Sequence, residues 1–339
     1  MTLTIVLPDL RFARQAGFNP LMELALPALA TLLGKATRQT LPGSSTEQWL
    51  RASFQADAIS TALLSLAVDL PNAPPGHWLR ADPVHLRADR DRAILFDASL
   101  LQIQRDEATA LVAALNQLYR DDGYEFVAAT PERWYVRLPD VPDLQTSSLS
   151  SVSGQDIHAH LPRGPQAMHW HKLLNEWQML LYTQAVNDVR EQAGQPAVNS
   201  LWLWGEGQQP PGQLHSAWRQ VVADDVLAKG LASLSGAEQR RLPARYTPDI
   251  AQEDTLILLD VLSYPTRRGD LHDWRDTLVA LERDWFAPLL ADWQSGKLPA
   301  VRLMLPGHQT SLQADLEPSE RWKFWRRPAD LASCLAEAA

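Results

Sequence analysis

Apolar residues recur along this chain in two rhythms, and the stretch 168–207 contains both. Trp170, Leu173, Leu174, Trp177, Leu180 and Leu181 return at helical spacing, with Lys172, Glu176 and Gln178 on the opposite side, so the pattern predicts one amphipathic helix whose apolar stripe must be covered. Gly194 and Pro196 then supply a left-handed stop and a residue that cannot extend a helix. Leu201, Trp202, Leu203 and Trp204 are large and apolar on both alternating faces, which predicts a strand covered above and below in the middle of an α/β sheet. Gly205, Glu206 and Gly207 form a loop beyond its carboxyl end, where open sheets collect their ligands. A plain structural turn is the commoner fate of such a loop.

Other segments follow the same logic. Leu3 to Leu7 is a β-rich run ended by Pro8-Asp9, and residues 254–262 and 301–305 are two more buried strands. Residues 19–34 read as a helix with Pro20 near its start and Gly34 at its end, and residues 217–234 and 274–290 as two further helices. Pro71 to Pro75 marks a joint. From His77 onward the pattern is strand, polar hairpin tip at 88–92, strand, then a helix over 104–118. Two strands follow, around Phe126 and over 133–137. Several strands crossed by one helix predict a small α+β cap. The expected fold is therefore α/β, a central, mostly parallel sheet flanked by helices with an inserted cap. Residues 1–76 and 195–339 form its core, and residues 77–194 form the cap with its linking helix.

Composition narrows the function. A chain of 339 residues can bury a large core. Its net charge of −9 argues against a general grip on nucleic acid, which needs clustered cations to displace counterions. The single Cys334 excludes an internal disulfide and a thiolate zinc site. No apolar run approaches the length of a membrane span, and the N-terminus has no charged leader, so a cytoplasmic protein is expected.

The run LNEWQMLL followed by AVNDVREQAGQPAVNSLWLWGEGQQP resembles a segment of the archaeal-type cofactor-independent phosphoglycerate mutases. Leu174, Asn175, Val186, Asn187, Arg190, Gly194, Asn199, Trp202, Trp204, Gly205, Gly207 and Pro210 carry the match. Together with ADPVHLRADRD at 81–91, the run is still more similar to bacterial regulatory proteins of the RpfE type. The resemblance implies an alkaline-phosphatase-like fold, and it implies where the mutase chemistry would sit. Asp9 would be a metal ligand at the tip of the first strand. The nucleophilic serine, however, corresponds to Ala56 in the stretch Gln55 to Ser60, and a methyl cannot attack phosphorus. The arginines of a D-R-R-A-G-R phosphate grip fall on residues 97–102, which contain none. Of the later metal-binding turns, Asp260, Asp270, His272 and His308 are what remains, with Gly307 where an aspartate is expected.

Two-metal phosphoryl transfer needs cations about 3.5–4 Å apart, held by several carboxylates and histidines. The losses therefore predict a degenerate, catalytically inactive relative with a regulatory or ligand-binding role and no required cofactor. An active phosphomutase or phosphohydrolase with a rearranged site is the alternative. It would use manganese or zinc on Asp9, Asp260, Asp270, His272 and His308, with Asp57, Ser60 and His308 as candidate catalytic residues. A Trp-rich interaction module is a third reading, since the chain has thirteen tryptophans. Asp82, His85, Arg87, Asn187, Arg190 and Glu206 are the candidate ligand-binding residues. The partner would be an unidentified protein or a small phosphorylated ligand. His169/His171 are expected to be structural, because residues two apart on a helix point away from each other, whereas His158/His160 could chelate only in an extended segment and have no carboxylate triad nearby. The basic, aromatic segment 320–327 could dock on an acidic lipid surface or a partner. The commoner outcome is that its rings pack on the chain's own edge while the basic heads face water.

Overall fold

A computed structural model describes residues 2–10, 12, 19–251 and 254–336. The chain folds into two compact units, Met1–Asp57 with Gly212–Ala339, and Ala58–Pro211.

The first unit opens with β1 (Thr2–Val6), α1 (Pro27–Lys35), β2 (Thr37–Ser44) and α2 (Thr46–Ser53). The helix expected from residue 19 starts only at Pro27. Asn19 instead closes a side-chain turn onto Leu21 N at 3.0 Å, and Glu23 takes a left-handed conformation (φ 65°) that a continuing helix cannot pass through. Pro27 then sets the helical φ where no N–H is needed. α2 has a full capping box between Ser45 and Gln48.

The second unit contains α3 (Thr61–Asp69), β3 (His77–Asp89), β4 (Arg92–Phe96), α4 (Ala98–Leu101), α5 (Arg105–Tyr119), β5 (Glu125–Ala128), β6 (Trp134–Leu138), α6 (Leu149–Val152), α7 (Ala167–Tyr182), α8 (Ala185–Gln192) and β7 (Ser200–Trp204). The single helix expected over 168–194 is thus two helices, broken at Thr183-Gln184. The long β3 organises an antiparallel sheet of order β4-β3-β6-β5, and β7 pairs antiparallel with β3 from Arg80 to Val84. The strand expected in the middle of the parallel core sheet therefore lies in the cap's sheet. Its two apolar faces are both used there. Leu201 and Leu203 join Trp170, Trp177 and Phe126 in one cluster, while Trp202 joins Val84, Leu95 and Val152 in another. The boundaries accordingly fall at 57/58 and 211/212, because α3 and β7 both pack on β3.

Returning to the first unit, the chain forms β8 (Gln220–Val222), α9 (Val226–Ser235), β9 (Glu238–Arg240), β10 (Thr255–Leu258), α10 (Ser263–Arg268), α11 (Leu271–Leu281), α12 (Ala287–Gln294), β11 (Ala300–Leu305), β12 (Gly307–Leu316) and α13 (Leu331–Ala336). The helix expected over 217–234 gives way to β8 before α9. The sheet order is β2-β12-β11-β1-β10-β8-β9, with β1 parallel to β10 and β11, and only β12 running against its neighbours. Pro42 sits in the outermost strand β2, the position in a sheet that tolerates proline. One π turn, Glu282–Phe286, joins α11 to α12. Pro288 cannot donate to the carbonyl of Asp284, and that carbonyl accepts the Tyr246 N–H at 2.9 Å instead. The same turn places the buried Glu282 under the start of α1, where its carboxylate accepts from Ala28 N at 2.5 Å and Leu29 N at 3.0 Å.

Candidate functional site

Three apolar strands of the first unit end in aspartate on the same edge of the parallel sheet. β1 runs into Pro8-Asp9, β10 into Leu259-Asp260, and β8 into Ala223-Asp224-Asp225. Carboxyl ends of adjacent parallel strands are where such sheets bind ligands. Asp9 adopts a left-handed conformation (φ 56°), which aspartate tolerates better than most residues. Its carboxylate accepts from Ser263 Oγ at 2.5 Å and its carbonyl from Trp274 Nε1 at 2.9 Å. Asp225 caps α9 through Ala228 N at 2.8 Å, and Asp224 faces Lys229 at 3.5 Å and Arg241 at 3.8 Å. Burial, with the charges of Asp225 and Asp224, pushes the Asp260 carboxyl up to about 6, only partly countered by a backbone hydrogen bond and by Arg267. Asp224 and Asp225 were hidden in the sequence because Trp218 to Leu231 also satisfies helical spacing. The recurring signal was an apolar run closed by aspartate.

The remaining metal candidates do not join this edge as ligands. Asp270 is the N-cap of α11, accepting from Asp273 N at 3.0 Å. His272 is 90% exposed, 3.6 Å from Asp276. His308 is exposed on β12. Asp57 is exposed, and its carbonyl, like that of Ala56, accepts from the Arg51 guanidinium. Among the described residues no three histidine, cysteine, aspartate or glutamate side chains converge as a metal would require. With Asp9 held by a hydroxyl and Asp270 spent on a cap, these donors do not fit a two-metal centre.

In the second unit the glycine loop meets the segment implied to hold the nucleophile. Gln208 pairs with residues 58–60 (Ser60 N to Gln208 O 3.0 Å, Gln208 N to Ala58 O 2.8 Å), and Ala62 N donates to Gly205 O at 3.0 Å. Gly205 (φ 86°) and Gly207 (φ 150°) permit this approach, since added Cβ atoms would lie 2.9 Å from Ala62 N and 2.6 Å from Ser60 N. Ser60 is buried, donates to Gly205 O at 2.7 Å and caps α3 through Leu63 N at 3.1 Å. Its hydroxyl is therefore a fastening of the crossover. Glu206 accepts from both the amide and the hydroxyl of Thr146.

Most of the other candidate ligand-binding residues are likewise engaged inside this unit. Asp82 is fully buried and accepts from Arg80 (2.8 and 3.1 Å), Trp204 Nε1 (2.7 Å) and Trp134 N (3.2 Å). Asn187 donates to the carbonyls of Leu181 (2.8 Å) and Val198 (3.0 Å) and accepts from Val198 N (2.8 Å), tying α8 to the start of β7. Arg190 reaches Pro196 O at 3.0 Å, Glu107 at 2.6 Å and the carbonyl of Leu101. His85 Nδ1 lies 2.9 Å from Ala197 O, and Arg87 stacks on Phe96 at 4.6 Å. Of the paired histidines, His169 lies toward Tyr124, His171 toward Pro162 O and His158 toward Asp156.

No protein-family model matches the chain. It is 39% identical over 59 residues to the probable 2,3-bisphosphoglycerate-independent phosphoglycerate mutase of Geobacter sulfurreducens, 17% of this chain and 15% of that protein. Over 150 residues it is 27% identical to 2,3-bisphosphoglycerate-independent phosphoglycerate mutase 2 of Methanothermobacter thermautotrophicus, 39% of this chain and 37% of that one. The chain thus spans well under half the length of these relatives. Its fold is similar to that of the PH0037 protein from Pyrococcus horikoshii (TM-score 0.56, 12% identity, 98% of this chain and 92% of that one). Parts of the chain are thus similar in sequence to 2,3-bisphosphoglycerate-independent phosphoglycerate mutases, and its core is the α/β fold that the resemblance implied, a central, mostly parallel sheet flanked by helices.

Proposed function

We propose that this chain is a degenerate relative of the phosphoglycerate mutases that performs no phosphoryl transfer and serves a regulatory or ligand-binding role, as the regulatory proteins of the RpfE type are described to do. The observation that carries the reading is the position implied for the nucleophile. It holds Ala56, a fully buried methyl, and the hydroxyl nearest in sequence on its C-terminal side, Ser60, is committed to a carbonyl and a helix cap. In-line displacement tolerates little misplacement, so a distant serine cannot substitute. The retained function is recognition of a small phosphorylated molecule or a protein.

The test is turnover. Purified protein supplied with manganese or zinc is assayed for interconversion of the phosphoglycerates and for release of phosphate from a generic monoester. Rates at the no-protein background, with no stoichiometric metal retained, are the expected result. The aspartates on the sheet edge favour one second reading, a rearranged metal hydrolase. Metal-dependent turnover abolished by Asp9→Asn would establish that reading and overturn the first.

A further inference from the structure

We propose that the segment after β12 is a docking surface for a lipid bilayer bearing anionic headgroups. Its aromatic rings would enter the interface, and an adjoining arginine pocket would receive headgroup phosphates. The expectation that these rings pack on the chain's own edge is not met. Trp322, Phe324 and Trp325 are 76%, 86% and 64% exposed, and the rings of Phe324 and Trp325 stack edge to face at 5.2 Å. Three such rings expose roughly 400 Å² of apolar surface, comparable to the largest patch on an ordinary monomer.

Their exposure is imposed by a backbone fastened on both sides. Lys35 Nζ holds the carbonyl of Lys323 at 2.6 Å, Arg326 holds the carbonyl of Lys35 at 2.5 Å, and Ala329 N donates to Ala30 O at 2.8 Å. Beyond them Cys334 and Leu335 are buried in the core. Lys323 and Arg326 also turn inward to the buried Glu320, at 2.8 and 3.0 Å. The arrangement is thus the reverse of snorkelling, with basic heads drawn in and rings turned out.

Beside this ridge lies a cavity of about 450 Å³ lined by Thr37, Arg38, Thr40, Arg326 and Arg327. Among the described residues, the side chains of Arg38 and Arg327 have no hydrogen-bond or ion-pair partner. Guanidinium groups and hydroxyls suit phosphate oxygens, and aromatic rings flanked by arginine suit the interfacial layer of a bilayer. A second copy is a poorer occupant, because a self-complementary contact through this face would bring two arginine pockets together. The net charge of −9 opposes approach to an anionic surface at long range. At physiological salt, screening over about 8 Å removes most of that opposition and spares contact pairs.

The full chain is sedimented with vesicles of phosphatidylcholine alone and of phosphatidylcholine mixed with phosphatidylglycerol, while tryptophan emission is recorded. Binding to the mixed vesicles only, with a blue shift and weakening by salt, is expected. Trp322→Ala/Phe324→Ala/Trp325→Ala should abolish it without altering the melting temperature, since the rings support no core. Arg38→Gln/Arg327→Gln should lower affinity on the order of tenfold or more. The proposal is overturned by absence of vesicle binding, by undiminished binding of the aromatic variant, or by a dimer that the aromatic variant dissolves. It is equally overturned if inorganic phosphate raises the melting temperature through Arg38 and Arg327 while vesicles do not bind.

Discussion

Replacing Asp260 by asparagine is expected to stabilise the chain at neutral pH. The carboxyl is pushed from its ordinary 3.8 to about 6 by burial and by the charges of Asp225 and Asp224. A shift of about two units corresponds to about 3 kcal/mol between the two protonation states. The sign follows from linkage: the folded state holds this proton more tightly than the unfolded state. The stability that the proton contributes is complete below about pH 4 and is lost as pH rises through 6. An amide carries no charge to desolvate, so Asp260→Asn should gain up to about 3 kcal/mol above pH 7, and the gain should vanish near pH 4. Urea denaturation of both proteins across that range measures it directly. Parallel stability curves, with no convergence at low pH, would show that the fold does not raise this carboxyl above its ordinary range. Manganese or zinc added at pH 7 supplies a further check. Cation stabilisation of the parent but not the variant would mean that the edge aspartates form a cation site, contrary to the proposed loss of metal chemistry.

Three other substitutions test the assignments within the fold. Asp82→Ala leaves a buried guanidinium and two N–H groups without their acceptor and should cost about 3–5 kcal/mol in urea unfolding, whereas Arg80→Met/Asp82→Leu should recover much of that loss. A loss under about 1 kcal/mol would contradict a structural role for Asp82. Glu282→Ala uncaps α1 from a distance and should cost about 2 kcal/mol, measured the same way, with hydrogen exchange accelerated at Ala28 and Leu29. Gly205→Ala forces a Cβ to 2.9 Å from Ala62 N at φ 86° and should lower stability by about 2 kcal/mol or more, visible as a reduced melting temperature.

Much of the fold was written locally. Leu3 to Leu7, Thr255 to Leu258 and Val301 to Leu305 are apolar runs too short for helices, and each is a central strand of the parallel sheet. The cap's hairpin and its helix α5 are equally local, since a polar tip and a one-sided stripe need no distant partner to be recognised. That Ala56 and Gly307 stand where the resemblance implies a nucleophile and a ligand is read from residue identity alone.

Only the tertiary structure decided which sheet a strand enters and which polar groups are spent on the fold. Alternating apolar faces at Leu201 to Trp204 state that both sides are covered, but not by what, and pairing with β3 placed them in the antiparallel sheet. Three residues at Gln220 to Val222 fit a helical stripe as well as a strand. Parallel ladders to β10 and β9 settled the matter and brought Asp224 and Asp225 onto the same edge as Asp260. Glu282 falls within the helix expected over 274–290, and nothing local marks it as the cap of a helix more than 250 residues away. Local pattern reports how much of a residue must be hidden from water. The identity of what hides it, and the hydrogen bonds that replace water there, depend on segments far apart in the chain meeting in space.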